Sequence, residues 1–478
     1  MIDKYGNEIT WIPVIKGKKT PLYISIASCL EEDIKKGILE GGNKLPPQRV
    51  IANYIGINLS TVTRAYKLCE EKGLIKGVTG KGTFVSCNAG IPQNLLTNRD
   101  DLNIIEMGTV LPLYEANELI KSYLIEINQN IDYNSLLKYV PPEGDIKHRY
   151  IASKWLKHFS MDCSPEQIII TSGTQNALSV LLISLFDKGD RIIVDEYTYT
   201  GFVSLANFFG IILIPIKTND DGINIDELKI TCKRETIKGI YLIPDCHNPT
   251  TAILIKEKRV EIVKIILDNN LLLIEDSPYG FTLQNKIIPI SHYLPDNSFY
   301  IAGISKSINP TFRLSYIVSP QKYLKKLING VNNLIWMASP LNAEIVSQLL
   351  NSSKYDEIIA FKLSKIKERN ILVDDILSDY HLIPNETSLF RYLILPQSIS
   401  DKNIELFCLE KGVQIFSSKR FLVSAHPNIN AIRLSISGPK DIEELIKGLL
   451  IIKEVLILAE TNIKHTTISI SNTIKYLI

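Results

Sequence analysis

Phe299-Tyr300-Ile301-Ala302-Gly303-Ile304-Ser305-Lys306-Ser307-Ile308-Asn309-Pro310-Thr311-Phe312-Arg313 decides how the larger part of this chain folds. An apolar, β-rich run from Phe299 to Ile304 stops abruptly at Ser305-Lys306. A lysine at the end of a buried strand, unlike one on a solvated helix, is a candidate for Schiff-base chemistry with an aldehyde. Working outward, similar short runs recur at Gln167 to Thr171, Arg191 to Asp195, Ile211 to Pro215, Gly239 to Pro244 and Leu271 to Glu275. They alternate with helical segments such as Asn176 to Phe186 and Lys256 to Asn269. This alternation predicts an α/β unit with a mostly parallel sheet wrapped by helices. In such sheets the ligand lies beyond the carboxyl ends of the strands.

The residues just past each run therefore matter most. They are Thr171-Ser172-Gly173-Thr174-Gln175, then Tyr199, Asn248-Pro249, Asp276-Ser277-Pro278-Tyr279, and Ser305-Lys306 with Arg313. Hydroxyls and a helix N-terminus at Thr174-Gln175, joined by Ser305 and Arg313, make a cup for a dianion. Main-chain N–H groups and the helix dipole favour the charge there, and a guanidinium grips it bidentately. A phosphate ester on an aldehyde is implied. Asp276 would keep a pyridine nitrogen protonated, Asn248 and Tyr279 could bond a phenolate oxygen, and Tyr199 could stack on the ring. His247, beside Asn248, reads as a turn histidine.

The N-terminal end follows other rules. Leu22, Ile26, Leu30 and Ile34 recur every four residues and mark one helical stripe. Gln48 to Ile55 forms a second short helix closed by Gly56, and Asn58 or Ser60 can cap a third. On a 100° wheel, Leu59, Val62, Ala65, Tyr66 and Cys69 gather on one face of that third helix. Ser60, Arg64 and Lys67 take the opposite face, with Thr61 at its edge. Hydroxyls and cations on an exposed face suit the major groove of double-stranded DNA. Leu74 to Val78 and Gly82 to Val85 flank Thr79-Gly80-Lys81 as a two-stranded wing with a thin basic tip.

The 478 residues suffice for several folding units, and 45% apolar against 22% charged residues excludes disorder over most of the length. The net charge of +2 conceals an asymmetry. Residues 1–86 hold 13 Lys/Arg against 8 Asp/Glu, leaving 40 against 43 for residues 87–478. A small basic unit ahead of a larger, mildly acidic one agrees with nucleic-acid contact at one end. The seven scattered cysteines include no Cys-x-x-Cys pair, so no metal is expected, and they read as reduced thiols in a cytoplasm. No apolar stretch reads as a signal peptide or membrane span.

Leu45-Pro46-Pro47-Gln48-Arg49, Thr61-Val62-Thr63-Arg64-Ala65-Tyr66 and Gly80-Lys81-Gly82-Thr83-Phe84-Val85 together resemble the winged helix-turn-helix of the GntR family of bacterial regulators. That resemblance implies DNA contacts from Arg49, Thr61, Arg64 and Gly82, to which the exposed helix face adds Ser60 and Lys67 and the wing tip adds Lys81. Leu59 stands where many members have an arginine. From about Ile104 to Ala459 the chain resembles fold-type I, class I and II aminotransferases, with Ser305-Lys306 and Arg313 the most specific elements. This implies pyridoxal 5'-phosphate as cofactor, with the Schiff base at Lys306 and Asp276 paired with the pyridinium. Asn248 and Tyr279 would flank the 3-oxygen and Tyr199 would stack. Thr174, Gln175, Ser305 and Arg313 would hold the phosphate, helped by Tyr139 from the partner subunit of a homodimer. Arg433, in Ile432-Arg433-Leu434-Ser435, matches the arginine that takes an amino acid's carboxylate. The family's usual hydroxyl is Gly303 here, its two glycines Thr387-Ser388, and its Pro-Gly Ser417-Ser418; the last two changes bear on amino-donor turnover more than on coenzyme binding.

The expected organisation is a DNA-binding domain over 1–86, a linker over 87–103 and a coenzyme-binding domain over 104–459. Its smaller α+β lobe draws on 104–143 and about 345–459, and a tail of unassigned role covers 460–478. The combination resembles the MocR subfamily of GntR-type regulators. It implies a transcriptional regulator responding to an amine, an amino acid or the coenzyme through exchange of the aldimine at Lys306. An aminotransferase with a DNA-binding appendage, and a repressor that binds the coenzyme without amine chemistry, are the alternatives.

Overall fold

The computed structural model describes residues 10–14, 21–35, 38–39, 43–72, 74–78, 82–85, 104–127, 131–424 and 429–475. The chain divides into two compact units, Met1–Arg99 and Asp100–Ile478.

In the first unit, α1 (Leu22–Lys35), α2 (Gln48–Ile55) and α3 (Leu59–Glu71) precede a hairpin of β1 (Ile75–Val78) and β2 (Gly82–Val85). The hairpin is antiparallel, with Ile75 opposite Val85. Gly56 ends α2 in the left-handed region at φ 73°, where an L side chain is strained. Asn58 then caps α3 by accepting the Ser60 N–H at 3.0 Å. Ile26, Leu30, Ile34, Val62, Ala65, Tyr66 and Cys69 form the core, as the wheel and the four-residue stripe require, except that Leu22, first in the stripe, is 36% exposed. Trp11 joins them and donates its indole N–H to Asp33 Oδ2 at 2.7 Å. Leu59 departs from the expectation. It lies in the first turn of α3, ahead of the packed stretch, and is 37% exposed.

The second unit is built on a seven-stranded sheet. Its strands in chain order are β3 (Ile168–Thr171), β4 (Arg191–Asp195), β5 (Ile212–Ile216), β6 (Gly239–Leu242), β7 (Leu272–Asp276), β8 (Ser298–Gly303) and β9 (Ser315–Val318). The spatial order is β3-β9-β8-β7-β6-β4-β5. All neighbours run parallel except around β9, which is antiparallel to both β8 and β3. The strands read as continuous apolar runs because helices cover both faces. β9 escaped the sequence reading: it follows β8 with no α-helix between them, so the alternation of strand and helix does not point to it.

The register aligns the functional strand ends. Asp276 pairs with Ile301, and Ser315 lies between Gly303 on one side and Thr171 on the other. α4 (Thr174–Leu185) starts immediately beyond β3. A long helix, α5 (Ser353–Ile376), leads into an antiparallel sheet of β10 (His381–Leu382), β11 (Phe390–Ile394), β12 (Phe416–Ser417) and β13 (Ala431–Ser435), ordered β10-β11-β13-β12. The last helix, α6, spans Ile442–Lys475 and so carries through most of the segment expected to be a tail. Among the described residues no helix is long and apolar enough to cross a membrane, and no cluster of three metal-ligating side chains occurs.

Candidate functional site

Lys306 lies three residues past the end of β8, and its Nζ donates to the carbonyl of Val110. Burial, reinforced by the charges of Arg433 and then Arg313, lowers its pKa to about 8. Asp276 is the last residue of β7 and is 2% exposed. One of its oxygens, Oδ2, accepts the Tyr241 hydroxyl at 3.0 Å, while Oδ1 is buried without a partner. Burial pushes its pKa up to about 7. A buried carboxylate oxygen with no donor is costly, and it is the acceptor that a protonated ring nitrogen requires.

Of the residues expected to hold a phosphate, Arg313 comes against the loop that opens α4. Gly173, at φ 85°, admits the Arg313 guanidinium so closely that a Cβ there would stand 2.5 Å from its Nη2. Arg313 is itself left-handed at φ 47° and donates to the Ser172 carbonyl at 3.3 Å. Tyr199 donates its hydroxyl to Gln175 Oε1 at 3.1 Å, and the Gln175 amide donates to the Gly201 carbonyl at 3.0 Å. With its side chain so engaged, Gln175 has its main-chain N–H to offer an anion. Burial raises the Tyr199 hydroxyl to about 12, which keeps it a donor. Ser305 is half-buried beside Lys306.

Arg433 projects from β13 and is 4% exposed. It donates to Asn248 Oδ1 at 2.7 Å and to the Gly108 carbonyl, and its Nε is buried without a partner. The rings of Phe421, Phe416 and Phe390 surround the guanidinium at 4.5, 5.5 and 5.6 Å. Desolvation brings its pKa down to about 10, so it remains a cation at neutral pH. Tyr279 is buried, packs edge-on against Phe390 at 5.3 Å and has its hydroxyl pushed up by burial. Tyr139 behaves differently: it is 80% exposed and its ring lies 6.0 Å from that of Trp336.

Sequence reasoning missed Tyr241, the carbonyls of Gly108 and Val110, and the three phenylalanines. Tyr241 had a signal, a hydroxyl in the otherwise apolar run Gly239 to Pro244 that must find a partner when buried. The carbonyls had none, because a main-chain acceptor carries no residue type.

In the first unit Arg49, Ser60, Arg64, Lys67 and Gly82 are exposed and Thr61 is half-buried, while Lys81 lies outside the described residues. A recess of about 580 Å³ brings Arg49 and Gly82 together with Lys44, Gln48, Leu59 and Thr83. Gly82, at φ 115°, takes a backbone conformation that an L side chain rarely adopts. The Ser60 hydroxyl is committed in part to Asn58 Oδ1 at 3.1 Å. Thr63 ties α3 to α2 by donating to Gln48 Oε1 at 2.8 Å.

Residues 103–449 match the family model for aminotransferase class I and II, and residues 22–85 match that for bacterial regulatory proteins of the gntR family. The uncharacterized HTH-type transcriptional regulator YdeF of Bacillus subtilis (strain 168) is 35% identical over 456 residues, spanning 95% of this chain and 99% of YdeF. This chain belongs to the GntR-type HTH regulators that carry an aminotransferase class I and II domain. That is the MocR-like architecture, with pyridoxal phosphate as its cofactor. Among solved structures, an archaeal alanine:glyoxylate aminotransferase superposes with a TM-score of 0.71 at 22% identity, covering 83% of this chain and 98% of that one. The α-aminoadipate aminotransferase LysN of Thermus thermophilus gives 0.69 at 20% identity, covering 77% and 96%. Both likenesses concern the fold.

Two departures of this MocR-like regulator from the aminotransferase pattern have local physical reasons. A Cβ on Gly303 would fall 2.5 Å from Thr174 Oγ1, so the Thr174 hydroxyl already fills the space a serine there would occupy. Ser417 and Ser418 both donate to Asp401 Oδ2, at 2.7 and 3.0 Å, and anchor the start of the helix Asp401–Glu410. A Pro-Gly pair could supply neither hydroxyl.

Proposed function

We propose that this protein is a pyridoxal-phosphate-dependent transcriptional regulator that binds an operator in double-stranded DNA through residues 1–86 and senses an amine or amino acid, or the coenzyme itself, at Lys306. The observation that carries this reading is the Asp276 oxygen buried without a donor in the same chain as an exposed helix face of hydroxyls and cations. Asp276 would hold the ring nitrogen's proton, Asn248 and Tyr279 would flank the 3-oxygen, and Tyr199 would stack on the ring. Thr174, Gln175, Ser305 and Arg313 would hold the phosphate. The effector's amino group would displace Lys306 from the coenzyme's aldehyde carbon, by aldimine exchange. Its carboxylate, if present, would meet Arg433. Differential affinity of this kind is what can shift a two-state protein; about a hundredfold preference corresponds to ~2.7 kcal/mol.

A homodimer is the expected assembly, since the exposed Tyr139 is suited to complete a partner's phosphate cup and two winged helices read repeated half-sites. The place of action is the cytoplasm. Lys306, Asp276 and Arg433, all present in one chain, also support the second reading, a competent aminotransferase with a DNA-binding appendage. One sample decides between them: operator affinity and keto-acid formation are measured across a panel of amines. Altered operator affinity with little turnover supports the regulator. Rapid multiple turnover with unchanged operator affinity overturns it.

A further inference from the structure

The side chain of Lys362, on α5, is 1% exposed, yet no carboxylate among the described residues pairs with it. Its Nζ donates to two carbonyls, those of Ile308 at 2.5 Å and Lys306 at 3.2 Å. These belong to the turn that carries the coenzyme lysine. Burying an ammonium this deeply is expensive, and two backbone acceptors offset only part of the cost. Burial, aided by the nearby Lys306 charge, lowers its pKa to about 7.

Seven residues along the same helix, two turns on and thus on the same face, stands a second buried cation, Arg369. It too caps carbonyls, those of Ile436 at 2.7 Å and Pro439 at 2.9 Å, in the segment that leaves β13 just after Arg433. Its other nitrogen reaches Glu115 at 3.1 Å. One rigid helix therefore grips, with two cations, the backbone next to the coenzyme lysine and the backbone next to the carboxylate-binding arginine.

We propose that Lys362 is a positioning residue for Lys306: through the carbonyls of Lys306 and Ile308 it fixes the lysine-bearing turn to α5, and Arg369 sets the Arg433 segment against the same rod. The inference rests on Lys306 being the coenzyme lysine. Replacing Lys362 by methionine keeps the length of the stem and strips both carbonyls of their donor. The turn then loosens, and Lys306 no longer holds the aldehyde in one orientation.

The test uses the full-length protein with pyridoxal phosphate as the probe. Coenzyme dissociation constants and the visible circular dichroism per bound coenzyme are measured for Lys362→Met, Lys362→Gln and Lys362→Arg. The expectation for Lys362→Met is a dissociation constant about tenfold higher and a dichroic band reduced about twofold or more, with Lys362→Arg restoring both to within about threefold. Should the methionine variant fail to fold, Lys362→Gln, whose shorter side chain keeps an amide donor, is expected to bind the coenzyme about threefold more weakly than the wild type, and wild-type affinity and dichroism in it would overturn the proposal. A lower melting temperature with wild-type coenzyme affinity and dichroism would show a merely structural lysine and overturn the proposal. The control separates the two layers: if Lys306→Ala still traps the coenzyme covalently on borohydride reduction, the underlying assignment fails and this one with it.

Discussion

The guanidinium of Arg64, on α3, lies 4.4 Å from the centroid of the Tyr23 ring on α1. Arg64 is thus held before any DNA arrives, and a fixed fork loses less rotamer freedom on reading a base edge. Cation–π contacts at exposed sites are worth about 0.5–1 kcal/mol. Tyr23→Ala is expected to weaken operator binding about two- to fivefold, in proportion to that energy. Tyr23→Phe should bind like the wild type. Arg64→Ala should cost more, ~1–3 kcal/mol, if it grips a guanine. Fluorescence anisotropy on operator and random duplexes checks this, and the Tyr23→Ala loss should vanish in the Arg64→Ala background.

With Lys306 as the proposed coenzyme lysine, its depressed pKa, about 8 against an ordinary 10.5, should govern how fast the coenzyme-free protein captures the aldehyde. The neutral amine is the nucleophile, and its fraction rises with pH. The capture rate should therefore climb through about pH 8 and level off above it. Burial is the main cause and Arg433 the next, so Arg433→Met should carry the midpoint to higher pH by removing a neighbouring cation. Stopped-flow absorbance as a function of pH reads both curves. Superimposable curves would show that Arg433 does not act on Lys306.

Asp276 carries a raised pKa, about 7 against 3.8, because its carboxylate is buried. The folded coenzyme-free protein keeps a proton that the unfolded chain has already lost. The group's contribution to stability therefore declines as pH rises from about 4 to about 7, and is constant above that. Asp276→Asn has no such proton to lose. Its melting temperature without coenzyme should gain on the wild type across that window. Its coenzyme affinity should fall, because a neutral amide cannot hold the pyridinium charge. Calorimetric scans from pH 4 to pH 8, in steps of about one unit, give the comparison.

Much of this was legible because most strands of the main sheet are buried apolar runs, and Ile168–Thr171, Arg191–Asp195 and Leu272–Asp276 end at a polar residue. Arg191–Asp195 was found to the residue, and Leu272–Asp276 and Ser298–Gly303 within one residue at each end. Lys306, Asp276 and Arg313 stood out for the same reason. Ser315–Val318 did not, since it follows Ser298–Gly303 with no α-helix between and falls outside the alternation of strand and helix. Lys362 and Arg369 were invisible as well. On a helix a buried cation and a solvated one have the same letter, and only the carbonyls of distant segments tell them apart. Leu59 was placed on the wrong side because a wheel gives direction around an axis but not where along that axis the packing stops.

Gly303 gives the sharpest test of the cup. Read from sequence it is a lost hydroxyl, worth at most one phosphate hydrogen bond. In the folded chain the hydroxyl of Thr174 occupies that space from across the cup, 2.5 Å from where a Cβ on residue 303 would be. The two positions exclude one another. Gly303→Ser, which restores the common residue, should therefore lower coenzyme affinity, because the Thr174 hydroxyl must turn away to make room for it. Thr174→Ala alone should also lower it, by one charge-assisted hydrogen bond of about 1.5–3 kcal/mol. In the double variant the serine has room and a free hydroxyl, so affinity should recover to within about fivefold of the wild type, ~1 kcal/mol. Equilibrium dialysis of pyridoxal phosphate against the four proteins measures the cycle. Additive losses, with no recovery in the double variant, would show that the Thr174 hydroxyl does not replace the missing serine.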